Sequence, residues 1–358
     1  TSNFPKTEVG SEKFRAPVQT LENLEMKKTL VAIAALAAFG AQAQSTVTLS
    51  GNLDFAYGTA KTSTSASEST ISTRDLTSST SVIKFVAVED LGGGTKATVQ
   101  YGIDPRKLAR DQAVGFTSDE TFVGLSGGMG NLRLGSANSL GLGAFGTSSP
   151  FGTGIGGGYA HNVVGYTSNI RYARSARYDS PAFSGLSVSV LKAQGADAAV
   201  ASTSVVTASD IIVAAKDSVE FGVNYANGPL TVAFANVKHA NYGAEKARSA
   251  NTLGANYNLG MTTVYAGMTS GDLLSDTTAV KTTKGNNIAV KHTMGKIDVM
   301  VGINNRKNSD AEKQKVTGLR ADYNFSKTTA TYVGYEDFKG ATTAADQKIV
   351  SIGLRKSF

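Results

Sequence analysis

The strongest constraint on this chain is a period of two. Val47, Leu49, Leu53 and Phe55 alternate with Thr48, Ser50, Asn52 and Asp54. Ile297, Val299, Val301 and Ile303 alternate with Asp298, Met300, Gly302 and Asn304, and Val350, Ile352 and Leu354 with Ser351, Gly353 and Arg355. One face is apolar and the other polar, which is the periodicity of a strand and not of a helix. Each segment runs for about ten residues, the length a tilted strand needs to cross a bilayer. A soluble sandwich also alternates, but it buries large side chains between its sheets. This chain has 39 Gly and no Trp, and it is rich in Ala, Ser and Thr. That composition suits lipid on one face and water on the other.

Turn signals fall into two length classes. The short ones are Glu89–Gly94, Gly127–Asn131, Ser180–Gly185, Asn227–Pro229, Asn258–Gly260, Met294–Lys296 and Asn324–Lys327. These are tight Gly, Pro and Asn turns. Longer polar stretches lie between them, among them Thr59–Thr80, Ala193–Lys216, Ser270–Lys284 and Asn305–Lys313. Seven short turns and eight long loops predict sixteen strands, with the short turns facing the periplasm and the long loops facing outward. The expected fold is therefore all-β: a 16-stranded antiparallel transmembrane β-barrel. Closure removes the sheet edge and satisfies every backbone group in lipid.

The beginning of the chain reads as a targeting segment. Met26-Lys27-Lys28 is a basic start, Leu30–Gly40 an apolar run, and Ala41-Gln42-Ala43 a small-x-small cleavage site. The apolar run is too short for a membrane helix, which needs about 20 residues. The expected division is an upstream extension at 1–25, a signal peptide at 26–43 and the barrel at 44–358. The extension is read as a misplaced start or as removed with the signal.

Other chemistries find little support. The chain has no Cys, which excludes thiolate metal sites, disulfides and a catalytic thiol. The net charge of +7 is spread along the chain, where a nucleic-acid binder clusters its basic residues. His161, His239 and His292 are isolated and lack ligand spacing. Gly152-x-Gly154-x-x-Gly157 matches a dinucleotide fingerprint, but it follows no buried parallel strand and opens no amphipathic helix. No cofactor, metal, nucleic acid or enzymatic activity is expected.

VTLSG (47–51), EDLGGGTKA (89–97), FVGLSGGMG (122–130), RYDSP with FSGLSVS (177–189) and the ending VSIGLRKSF (350–358) occur in this order. In these pieces the chain resembles the trimeric general porins of Gram-negative bacteria, in their betaproteobacterial form. The resemblance implies a homotrimer in the outer membrane and an inward-folded third loop that narrows the pore. It also implies a terminal Phe358 read by the barrel-assembly machinery; an aromatic at the membrane interface is the plainer role, and the two are compatible. Outer-membrane lipids and lipopolysaccharide are the expected surroundings, and small hydrophilic solutes the expected cargo.

The third loop is expected at Leu140–Gly165, with Gly152, Gly154, Gly156, Gly157 and Gly158 allowing tight backbone inside a lumen. A mobile external loop is the alternative. From Thr121 to Tyr178 there is no Asp or Glu. Strand phase points Arg133 and Arg177 into the lumen; Arg171 shares their parity, and Lys84, between Ile83 and Phe85, also points inward. Val82, Asp119 and Ser136 stand where the family usually has arginine. Selectivity follows from pore diameter and lining charge. The expected function is passive diffusion of ions and small solutes with mild anion preference, unless the arginines pair with carboxylates from other strands. The alternative is a plugged barrel whose outer loops serve adhesion or recognition.

Overall fold

Backbone pairing follows the alternation closely. The structure is a computed structural model, and it describes residues 45–62, 69–71, 81–103, 105, 119–158, 171–195, 211–212, 217–239, 248–272, 282–309, 313–340 and 346–358. The upstream extension and the signal segment lie outside the described residues, as do His161 and the third loop beyond Gly158.

Sixteen long strands form one closed antiparallel meander. They are β1 (Thr46–Thr62), β2 (Val82–Gly92), β3 (Thr95–Ile103), β4 (Thr121–Gly127), β5 (Gly130–Asn138), β6 (Arg171–Asp179), β7 (Leu186–Ala193) and β8 (Ser218–Asn227). The second half comprises β9 (Leu230–His239), β10 (Arg248–Asn258), β11 (Thr262–Asp272), β12 (Thr282–Met294), β13 (Ile297–Asn308), β14 (Gln314–Ser326), β15 (Thr329–Lys339) and β16 (Gln347–Ser357). Each strand pairs with its sequence neighbours, and β16 returns to β1. Two short ladders sit in the loops: Ser69–Ile71 along β1 and Ile211–Ile212 along β6. Among the described residues one α-helix, α1 (Leu140–Thr147), follows β5. All seven short turns fall where Gly, Pro and Asn predict them.

The distribution of polarity is inverted relative to a soluble core. Val47, Leu125, Leu134, Ile288, Val333 and Ile352 are exposed on the outer face. Asp54, Glu220, Arg320, Asp322 and Glu336 are buried on the inner one. Moving each Leu, Ile or Val from water to hydrocarbon contributes about 1.5–3 kcal/mol. The outer face therefore holds the barrel in lipid, while the inner polar groups must find one another.

The seam lies at β1. Thr46–Asn52 pairs with β2, and Asn52–Thr62 pairs with β16. Just before β2 begins, Ser81 extends the pairing: its Oγ accepts from the Asp54 amide at 2.9 Å and donates to the Asp54 carbonyl at 3.0 Å. Phe358 completes the ladder by exchanging two hydrogen bonds with Gly51, at 2.9 and 3.0 Å. Its ring covers Gly51, where a Cβ would come within 2.6 Å of Phe358 Cζ. That contact explains a glycine in the apolar series Val47, Leu49, Leu53, Phe55.

Candidate functional site

The segment Leu140–Gly158 is fastened to the polar inner face of the barrel at both ends. Ser139 caps α1, accepting from the Gly141 amide at 3.0 Å. Glu220 of β8 accepts from Ser139 Oγ at 2.9 Å and from the Leu140 amide. Leu140 and Ala144 pack with Ala137, Tyr172, Leu191, Ala233 and Ala235. Further along, Asn256 donates to the Thr147 carbonyl at 2.9 Å and Asn287 to the Ser148 carbonyl at 2.7 Å. Phe151 joins Ala289 and Met300, and Ile155 joins Ala56, Tyr332 and Ile349. At the far end the amides of Gly156 and Gly158 donate to Glu336 of β15, at 2.7 and 3.2 Å.

The wall makes room for this segment by losing side chains. Gly254, Gly267, Gly302, Gly318 and Gly334 occupy inner-face positions on β10, β11, β13, β14 and β15. A Cβ on Gly267 would meet Ser148 Oγ at 2.6 Å, one on Gly302 would meet Phe151 at 2.8 Å, and one on Gly334 would meet Ile155 at 2.5 Å. At Gly254 and Gly318 it would fall well inside contact distance of the Ala144 and Gly156 carbonyl oxygens.

The glycines of the segment divide into two kinds. Gly154, Gly156, Gly157 and Gly158 are packed, against Arg320, Phe151 and Val316 among others. Gly156 and Gly158 also have φ of 96° and 71°, which a side chain would strain. Gly143, Gly146 and Gly152 are open: a Cβ on any of them meets nothing within 4 Å. The most open positions of the segment are thus glycines, with Leu142, Thr147, Pro150 and Thr153 half-buried beside them.

The arginines singled out in the sequence gather on β5 and β6, but in the company of acids. Arg133 pairs with Glu120 at 3.3 Å and with Asp179 at 2.5 Å. Arg177 pairs with Asp179 at 2.9 Å and donates to the Asn138 carbonyl. Arg171 pairs with Asp119 at 3.0 Å. The acid-free window from Thr121 to Tyr178 is bordered on both sides by the carboxylates that neutralise it. Arg171 also leaves the strand phase of Arg177. Gly135 faces Ser175 while Ala137 faces Tyr172, so Ala173 and Arg174 together oppose Ser136. This bulge, with Arg174 at φ 54°, puts Tyr172 on the inner face and Arg171 opposite Asn138.

Lys84 stands between Ser50 and Gly102 on the inner face, and Phe85 beside it is exposed. A second charged group joins Asp54 and Arg355, both on the polar face by strand phase, to Arg320, Asp322 and Tyr332. The Arg320 guanidinium lies 3.9 Å from the Tyr332 ring and pairs with Asp322 at 2.6 Å. Arg355 pairs with the same carboxylate at 3.1 Å, and Tyr332 donates to Asp54 at 2.7 Å. Strand phase already puts Arg355 on the polar face, and the same rule finds Arg320, which follows the outward-facing Leu319. His239 hydrogen-bonds the Tyr172 hydroxyl at 3.2 Å, and His292 bonds Thr262 at 2.8 Å.

The geometry is shared with known outer-membrane barrels. An anion-selective porin from Comamonas acidovorans superposes with a TM-score of 0.69 at 24% identity, covering 88% of this chain and 100% of that one. The major outer membrane protein P.IB of Neisseria gonorrhoeae is 33% identical over 168 residues, 46% of this chain and 47% of that protein. An outer membrane porin protein of Bordetella pertussis is 27% identical over 237 residues, 58% of each chain. The chain thus spans about half the length of the curated relatives it matches. The family described as Gram-negative porin matches residues 29–343, most of the sequence. With that match and a closed sixteen-strand barrel, the chain belongs to the Gram-negative porins.

Proposed function

We propose that the protein is an open channel of the outer membrane through which ions and small hydrophilic solutes diffuse passively. The observation that carries this reading is the inner wall. Segment 140–158 makes contacts along β8 to β15, and its opposite side, with Gly143, Gly146 and Gly152, is open. In this reading the segment is the inward third loop, and solutes pass between it and the inner face of β2–β5. The chain reaches the membrane through a cleaved signal, self-associates as a trimer, and offers Phe358 to the assembly machinery. It lies among outer-membrane lipids and lipopolysaccharide, and acts as a channel without enzymatic chemistry.

Selectivity is a mild preference for anions. Lys84 and the absence of acid on the free side of the segment favour anions, and the structural neighbour from Comamonas is an anion-selective porin. Asp119, Glu120 and Asp179 keep the preference mild by balancing the three arginines. Purified folded protein in planar bilayers will give stepwise ohmic openings in triplets, with a reversal potential of anionic sign under a KCl gradient. A barrel that folds and inserts but conducts nothing would point instead to a plugged surface protein. Asp179→Asn releases Arg133 and Arg177 from their shared carboxylate, so its reversal potential will move further toward anions. A shift toward K⁺ would contradict the assignment of those arginines to the pore.

A further inference from the structure

Strand β2 breaks the alternation that shapes the wall. From Val82 to Val88 it reads VIKFVAV, apolar at every position but Lys84. Ile83, Phe85 and Ala87 belong to the lipid face, where Phe85 is exposed in register with Leu49 and Tyr101. Val82, Lys84, Val86 and Val88 take the other phase and face the lumen, opposite Asn52, Ser50, Thr48 and Thr46 of β1. Two strands on, Phe122 joins them. It stands in the same row as Val86 and Gln100, and it turns inward because Val123 beside it is exposed on the outer face. Gly124 and Gly135 leave room around it, and its ring lies along the wall: a Cβ on Gly124 would be 3.4 Å from the ring's Cε2.

Other apolar side chains of the inner wall are covered by segment 140–158. Leu191 packs with Leu140, Met300 with Phe151 and Ile349 with Ile155, while Val316 lies against Gly158. Val86, Val88 and Phe122 have no such cover and are only half-buried. Water leaves a strip of this kind readily when an apolar surface of matching shape comes against it.

One free charge goes with the strip. Lys84 stands one row nearer the long loops than Val86, between Ser50 and Gly102. Among the described residues no carboxylate lies within ion-pair distance of it. The acid that reaches this corner is Asp119, whose Cβ lies 2.7 Å from where a Cβ on Gly102 would be. Both of its oxygens are engaged: Oδ2 accepts from Arg171 at 3.0 Å and Oδ1 from the Glu120 amide at 2.6 Å. Glu120 in turn accepts from Arg133 at 3.3 Å and from the Asn138 amide at 2.9 Å. Arg133, 5.5 Å from the centre of the Phe122 ring, is neutralised by Glu120 and Asp179. Lys84 is therefore the cation beside the strip that is left for a solute. Strands about 4.8 Å apart and residues about 3.3 Å apart put the Lys84 and Phe122 Cα atoms roughly 12 Å from each other. That span matches one six-membered ring laid on the wall with a carboxylate at the end of the lysine stem.

We propose that this wall is a selectivity subsite for small aromatic monocarboxylates. The ring lies on Val86, Val88 and Phe122, and the carboxylate accepts from the Lys84 ammonium. One free cation selects a single negative charge, and offset stacking on Phe122 selects a flat aromatic ring over an aliphatic body. The proposal rests on the channel reading above, in which solutes pass along β2–β5.

The test titrates sodium benzoate into the folded protein in detergent by equilibrium dialysis. It also adds benzoate to single open channels in KCl, where residence at the subsite reads as brief blocks of current. Benzoate is expected to bind about tenfold more tightly than acetate, which lacks the ring, or benzyl alcohol, which lacks the charge. K84Q will bring benzoate down to the level of benzyl alcohol, and V86T/V88T will bring it down toward acetate. F122L will erase the preference for benzoate over cyclohexanecarboxylate. K96Q, a lysine lost at the short-turn end opposite Asp90, will bind benzoate as wild type does. Uptake of benzoate by micelles is common to all variants, so it cannot produce these differences. Equal binding of benzoate, acetate and benzyl alcohol, or equal loss in K84Q and K96Q, would overturn the site. A wild type that conducts KCl but holds benzoate no better than acetate defeats this proposal alone; one that binds benzoate in dialysis but never conducts defeats the channel reading alone.

Discussion

Gly254→Val and Gly318→Val will each lower single-channel conductance and the thermal stability of the folded barrel. Both glycines lie on the inner face of the wall, and at both a Cβ would land on a backbone carbonyl of the 140–158 segment. A carbonyl oxygen cannot rotate away as a side chain does, so the segment itself must move off the wall and into the lumen. Overpacking of this kind costs about 1–3 kcal/mol. At Gly318 the displacement also pulls the Gly156 amide from Glu336, and a hydrogen bond to a charged group contributes about 1.5–3 kcal/mol. Single-channel recording and heat-dependent gel mobility report the two effects separately. Gly128→Ala is the control, because nothing lies within 4 Å of a Cβ there. Wild-type conductance and stability in Gly318→Val would mean that the segment does not lie against β14.

Gly146→Glu will shift the reversal potential toward cations without harming the fold. Gly146 is near the end of α1, on the open side, and has no unusual φ. Replacing glycine within a helix is favourable by about 0.5–1 kcal/mol. The new carboxylate would stand on a face that has no acid. A unit charge acts on an ion 4 Å away with roughly 1 kcal/mol even in bulk water, about fivefold in relative permeability. Gly146→Lys should move the potential the other way by a similar amount. If both variants match wild type, the free side of α1 is not in the conduction path.

Much of the architecture could be read because it depends on local rules. A tight turn needs Gly, Pro or Asn wherever it occurs, and a lipid-facing strand must alternate. Both signals fade where their cause fades. β1 continues to Thr62, β11 to Asp272 and β13 to Asn308, all within stretches that the sequence suggests are loop. Beyond the lipid, outward side chains such as Asn286 and Asn305 have no reason to be apolar, so the alternation vanishes although the ladder persists.

The charged residues were legible one at a time but not as groups. Phase alone turns Arg133 and Arg177 inward. Arg177 meets Asp179 two residues along its own strand, but the neutralisation of Arg133 by Glu120 and Asp179 depends on which strands lie side by side. The bulge at Ala173 and Arg174 has no glycine to announce it, and it is what separates Arg171 from Arg177 in phase. The contact of Tyr332 with Asp54 joins the second-last strand to the first, and only closure brings them together.

The seam at Gly51 and Phe358 has a consequence for the order of events in folding. Ser357 reaches back to Asn52 across a sequence separation of 305 residues. Contacts so distant are slow to form, because the loop-closure entropy is lost before they give anything back. Half of β1 has no long partner until the last strand arrives. During biogenesis β1 must therefore wait, with its edge exposed and prone to pair with a neighbouring molecule, until the 305 residues that separate Asn52 from Ser357 have been delivered. The Phe358 ring, which fits over a glycine at position 51, makes that wait end on the correct register.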